Sequence, residues 1–153
     1  MAKDTVQWIV NYDLDFNAVD KLYKKTDKNA RIKVGVQMLN WIANGSPNNS
    51  TVPPVLTGLL RGSGSVFYGS VLVGVTPTYN GQGEPNRSHS EREGVLTVGF
   101  DTAYAARMHE TSWNPGPVSQ QSGDTGNKFI EKHMQSDKKD LLKLYAVLMK
   151  KAF

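Results

Sequence analysis

From Phe16 to Ala43 the apolar residues return at the spacing of an α-helix, and no other stretch of the chain constrains the fold as much. Phe16, Val19, Leu22 and Tyr23 begin the pattern. It lapses over 25–29, "KTDKN", and resumes at Ile32, Gly35, Leu39 and Ile42, with Val34, Met38 and Trp41 on the adjoining stripe. The spacing predicts one long helix over 16–43, with room for a kink at the lapse. Asp15 is a good N-cap, with Leu14 and Val19 placed as a hydrophobic staple, and Gly45 is a stop signal.

The other elements follow from the same reasoning. In "TVQWIVNYD", residues 5–13, Val6, Trp8, Val10 and Tyr12 alternate as in a strand. "SVFYGSVLVGV", 65–75, reads as one strand with Val66, Tyr68 and Leu72 on one face and Phe67, Val71, Val73 and Val75 on the other. "GVLTVGFD", 94–101, reads as its hairpin partner. Asp101 can cap a short helix over 102–110, and Asn127 opens a last helix whose apolar face is Ile130, Met134, Leu141, Leu144, Tyr145 and Leu148. The expected fold is α+β: a small antiparallel sheet with a long β-hairpin, packed against two long helices and one short one. One sheet face would be left partly uncovered, a surface suited to self-association.

Two polar, glycine-rich loops interrupt this pattern, at 76–93 and 111–126. Neither is expected to fill the core. Tyr79, Arg87 and Trp113 are the residues in them suited to a partner surface, with Trp113 the expected anchor.

The chain has 153 residues, enough for one domain with its own core, and no cysteine. Disulfides, thiolate metal sites and cysteine catalysis are thereby excluded. The first residues lack a signal-peptide pattern and no stretch has the apolar length of a membrane span, so a soluble protein made in a cytoplasm is expected, with no membrane partner. The net charge is +4, from 18 basic and 14 acidic residues, and the lysines are spread through helices with acids nearby. His89, His109 and His133 match no metal-ligand spacing, and no nucleophile motif accompanies them. No catalytic, metal or cofactor role is expected. Two alternatives remain: a basic nucleic-acid-binding module using "KLYKK" and "SDKKDLLK", and a small hydrolase using His109 and Glu110.

"PPVLTGLLRGSG", 53–64, is an unusual connector, with two leucines and a lone cation where a loop needs neither. Pro53 and Pro54 hold the backbone extended. Thr57 can cap a single turn that sends Leu59 and Leu60 to the core and offers Arg61 to a neighbour, before Gly62 and Gly64 release the chain into the strand.

This segment, followed by "VGFDTAYAARMHE" and "GNKFIEKHM", resembles the neck or tail-completion family of long-tailed bacteriophages, also called minor capsid or head–tail connector proteins. Pro54, Val55, Thr57, Gly58, Leu60, Arg61 and Ser63 match the family's "P-V-x-T-G-x-L-R-x-S" pattern, and Tyr104, Ala105 and Ala106 its "x-Y-A-A". The start of the last helix departs from it, carrying Phe129 without the family's preceding proline, and the loop at 111–126 replaces a short "E-F-G-T" link. The resemblance spans roughly residues 5–150 and implies a structural virion protein, not an enzyme. It implies a homo-oligomeric ring, a hexamer, in the neck or tail. Its partners would be adaptor, stopper, terminator or tail-tube proteins. DNA would pass through the channel without specific binding, and the protein would be made in the bacterial host's cytoplasm.

Overall fold

The structure, a computed structural model, describes residues 16–54, 59–77, 88–100, 102, 104–112, 114, 116–117 and 125–153. The expected strand over 5–13, the caps by Asp15, Thr57 and Asp101, and the residues Leu14, Val55, Gly58, Tyr79, Arg87 and Trp113 lie outside them.

Helix α1 spans Phe16–Asn44, about 43 Å at 1.5 Å per residue, and continues through the polar lapse without a break. Gly45 ends it, donating its N–H to the Trp41 carbonyl at 2.7 Å. Only the second half is covered: Ala30, Gly35, Leu39, Ile42 and Ala43 are buried. Phe16, Val19, Leu22 and Tyr23 are 73%, 53%, 44% and 50% exposed, so helical spacing there marks a surface stripe and not core.

The stretch 65–75 is not one strand. It divides into β1 (Gly64–Tyr68) and β2 (Val71–Val75), joined by the two-residue turn Gly69–Ser70. Gly69 has φ 59°, the left-handed backbone that a two-residue hairpin needs at its first position. Strand β3 (Leu96–Phe100) pairs antiparallel with the other edge of β1, giving the order β2-β1-β3. The long hairpin of the sequence reading is therefore a tight hairpin plus a third strand, and 76–93 carries the chain from one edge of the sheet to the other. Both faces of β1 are covered, since all five of its residues are buried. Part of 76–93 supplies that cover, because His89 lies over Phe67 with ring centroids 5.1 Å apart. Its described end thus packs a half-buried ring against the sheet.

Helix α1 packs across all three strands, with Gly35 set against Val66 of β1 and Leu96 of β3. A Cβ there would stand 2.8 Å from a Leu96 methyl carbon and 2.9 Å from Val66 Cγ1. Leu96 can yield; Val66 is fully buried and β-branched, and cannot turn easily. Gly35→Ala would gain about 1 kcal/mol of helix propensity and lose about 1–3 kcal/mol to overpacking. The expected outcome is a net loss of about 1 kcal/mol in urea denaturation. A variant more stable than the parent would show that helix and sheet are free to separate here.

Helix α2 is short, Ala105–Glu110, and α3 spans Phe129–Lys150, two residues after the expected start. Lys128, at φ 53°, turns the chain into α3 and donates its N–H to the His109 carbonyl at 2.7 Å. Helix α3 runs antiparallel to α1, with Tyr145 against Asp27 and Phe153 against Tyr23. Its buried stripe is Phe129, His133, Asp137 and Leu141, so of the apolar face read from sequence only Leu141 is buried. The stripe tolerates two polar residues because each satisfies the other, as described below. The central cluster is Ile42, Leu60 and Phe129, closed by Met38, Val98, Phe100, Ala105, Met108 and Ile130.

Candidate functional site

The connector at 53–64 is an internal joint. After α1, residues 52–54 are buried, and three successive carbonyls are each taken by a different part of the fold. The Thr51 carbonyl accepts from His133 Nε2 at 2.6 Å, that of Val52 from the Gly126 N–H at 3.2 Å, and that of Pro53 from Arg61 Nη2 at 2.7 Å. Pro53 and Pro54 have no N–H to offer, so these carbonyls carry the segment's hydrogen bonding. This corrects the expectation for Arg61. It is 6% exposed and holds its own connector, instead of reaching to a neighbour. Leu60 is buried as expected, whereas Leu59 points outward and is 37% exposed. Residues 61–63 form a 3-10 turn in which Ser63 Oγ donates to the Leu60 carbonyl at 2.7 Å. One such turn presents only one of two adjacent leucines to the core.

The segments that carry the sequence resemblance meet in space. Leu60, Ala105 and Phe129 belong to one cluster, and Phe129 meets the rings of Phe100 and His109 edge-on at 5.6 and 5.0 Å. Pro54 is buried with the connector; Tyr104 and Ala106 are exposed. The described motif residues are thus mostly packing residues.

Three polar clusters remain. His109 Nδ1 donates to Glu110 Oε1 at 2.7 Å, and Lys128 holds the second carboxylate oxygen while lying 3.4 Å from Glu131. The bond from Lys128, then that from His109, draws the Glu110 carboxyl below its ordinary range, and the same contact with Glu110 raises Lys128. Glu110 thus bridges the Lys128 ammonium and the His109 ring on an exposed surface. His109 and Glu110 are together, as the hydrolase alternative requires, yet the carboxylate is shared with Lys128.

Sequence reading missed the second cluster. His133 and Asp137, each 1% exposed, are joined Nδ1 to Oδ2 at 2.6 Å. Ser46 Oγ donates to Asp137 Oδ1 at 2.6 Å, and Asn48 Nδ2 reaches Asp137 Oδ1 at 3.4 Å and Asp140 Oδ2 at 2.7 Å. These are the residue types of a nucleophile triad in the wrong order: the serine bonds the carboxylate, and the far imidazole nitrogen is spent on a backbone carbonyl. The signal that could have found this pair is the i, i+4 placement of His133 and Asp137 between Phe129 and Leu141 on one helical stripe. Among the described residues no group of three or more His, Asp or Glu side chains is placed to hold a metal.

The third cluster ties the helices together. Asp27 accepts from Tyr145 Oη and from Arg31 Nε at 3.0 Å, and Arg31 also donates to the Gly94 carbonyl at 3.2 Å. Burial pushes the Asp27 carboxyl up, but the bonds from Tyr145 and Arg31 outweigh it and the net shift is downward. A depressed carboxylate adds stability that is present above its unfolded value of about 3.9 and is lost as pH falls through the folded value. Tyr145→Phe is therefore expected to cost about 1 kcal/mol at pH 7 and clearly less near pH 3. Urea denaturation at the two pH values checks this; an equal cost at both would show that the hydroxyl acts independently of the charge.

The surface around these clusters is apolar in places. A groove of about 680 Å³ between α1, β3 and α3 is lined by Val34, Met38, Leu96, Met134, Leu142 and Tyr145. Another, of about 520 Å³, lies on the other side of α1, against Val75 and Leu148. Together with the Phe16–Tyr23 stripe they form the candidate contact surface. Set against known proteins, the chain matches no family model, no curated protein and no solved structure.

Proposed function

We propose that this protein is a structural subunit of a long-tailed bacteriophage virion. It would form a homo-oligomeric ring at the head–tail junction or tail end that joins or completes head and tail around the DNA channel. The observation that carries the reading is the ordered pair of motifs, "PPVLTGLLRGS" and "TAYAA", with strands between them and Phe129 opening the last helix. Their convergence on one cluster gives a packing reason for their occurring together in this order. Apolar side chains left exposed on α1 and α3 supply surface for subunit contacts, which in a ring are heterologous and close by rotation. A mild net charge of +4 suits a channel wall past which DNA must slide, since a strongly basic lumen would hold phosphates.

The direct test is electron microscopy of the particle that contains this chain. Density for a ring of this fold on the axis between head and tail, and unjoined heads and tails when the gene is disrupted, are the expected results. Normal particles without the chain, together with DNA binding that weakens steeply with salt, would instead favour the nucleic-acid-binding module.

A further inference from the structure

The donors and acceptors around His133 do not balance unless an extra proton is present. Its Nε2 lies 2.6 Å from the Thr51 carbonyl, which only accepts, so Nε2 carries a hydrogen. Its Nδ1 lies 2.6 Å from Asp137 Oδ2. An ionised carboxylate also only accepts, so this contact needs a second proton, on the ring or on the carboxyl. Asp137 Oδ1 is already engaged by the Ser46 hydroxyl at 2.6 Å and the Asn48 amide at 3.4 Å. The contact is direct and both side chains are 1% exposed, so the proton lies between these two atoms. We infer that His133 and Asp137 together hold two protons in the folded protein, forming a proton-dependent clasp that closes 46–54 on α3.

The surroundings favour a neutral unit of that kind. The 46–51 segment brings Ser46, Asn48, Asn49 and Thr51, none of which titrates in the neutral range. On α3, Asp140 reaches the same Asn48 amide and adds a negative charge nearby. Among the described residues no lysine or arginine pairs with Asp137. With the second proton gone, one acceptor would face another in a dry site, and the hold on the Thr51 carbonyl would weaken. That carbonyl is the first of the three that fix the connector, so base would loosen the joint there.

The direction with pH follows from proton counting. Unfolded, the two side chains share one proton above a histidine's usual value of about 6.5. Folding then takes up one proton, so this stability is complete below about 6.5 and declines as pH rises, by at most about tenfold in the folding equilibrium per pH unit. Asp137→Asn removes the requirement, because the amide N–H can donate to a bare Nδ1 while its oxygen still accepts from Ser46. The experiment measures folding equilibria of parent and Asp137→Asn from pH 6.5 to 8.5, with nitrogen-15 spectra of the His133 ring in the full chain. The parent is expected to fall relative to the variant as pH rises, by up to about tenfold per unit, and to show two protons on the pair at pH 7. Parallel slopes, or a ring at pH 7 with one proton, a bare Nδ1 and an ionised Asp137, would overturn the inference. The parent's spectrum decides the matter even if Asp137→Asn does not fold.

Discussion

Phe129→Ala should destabilise the protein by about 3–5 kcal/mol, the range for removing a fully buried aromatic ring. Phe129 is 1% exposed, and its ring is held edge-on by both Phe100 and His109. It shares the central cluster with Ile42 from α1 and Leu60 from the connector, so the ring joins three parts of the chain that are far apart in sequence. It also stands at the first residue of α3, where Lys128 is fixed in the left-handed region by its bond to His109. Neighbours held in this way have little room to collapse into the space left behind, which sets the cost toward the upper end. Leu60→Ala should fall within the Leu→Ala range of about 2–5 kcal/mol, while Leu59→Ala should change stability by about 0.5 kcal/mol or less. Urea denaturation of the three variants checks the order. Equal effects at Leu59 and Leu60 would mean that the 3-10 turn does not choose between them.

His133→Leu should be as damaging, at about 3–5 kcal/mol, for an electrostatic reason. Removing the imidazole leaves the Asp137 carboxylate buried without its main donor and leaves the Thr51 carbonyl without its partner. Replacing both members, His133→Leu with Asp137→Leu, should cost less than the sum of the single changes, because the stranded charge goes too. The double change would still leave Ser46 and Asn48 to find other partners. Denaturant curves for the single and double variants give the coupling directly. A loss of under about 1 kcal/mol for His133→Leu would mean that water or another side chain reaches Asp137, and the pair would not be the clasp described above.

Much of the backbone was legible. Periodicity located both long helices, and Gly45 marked where the first one ends, because these signals reflect preferences within a few residues. The small antiparallel sheet was legible for the same reason, although its division at Gly69–Ser70 was hidden by the apolar runs on both sides of the turn. The packing residues Leu60, Ala105 and Phe129 were found through the motif pattern, whereas the role of Arg61 was not.

The sequence by itself determined an α+β chain with two long helices, and it ruled out cysteine chemistry through the lack of any thiol. Only the tertiary structure decided which faces are inside. Phe16 and Val19 have the right spacing for core and lie outside it, because the sheet runs under the second half of α1. His133 and Asp137 are polar and lie inside, because partners for them come from other parts of the chain. His133 is bonded to Thr51, 82 residues away, and Asp137 to Ser46, 91 away. Burying a polar group costs little only when its hydrogen bonds are met. A local pattern carries no record of a partner that the fold delivers from the far end of the chain.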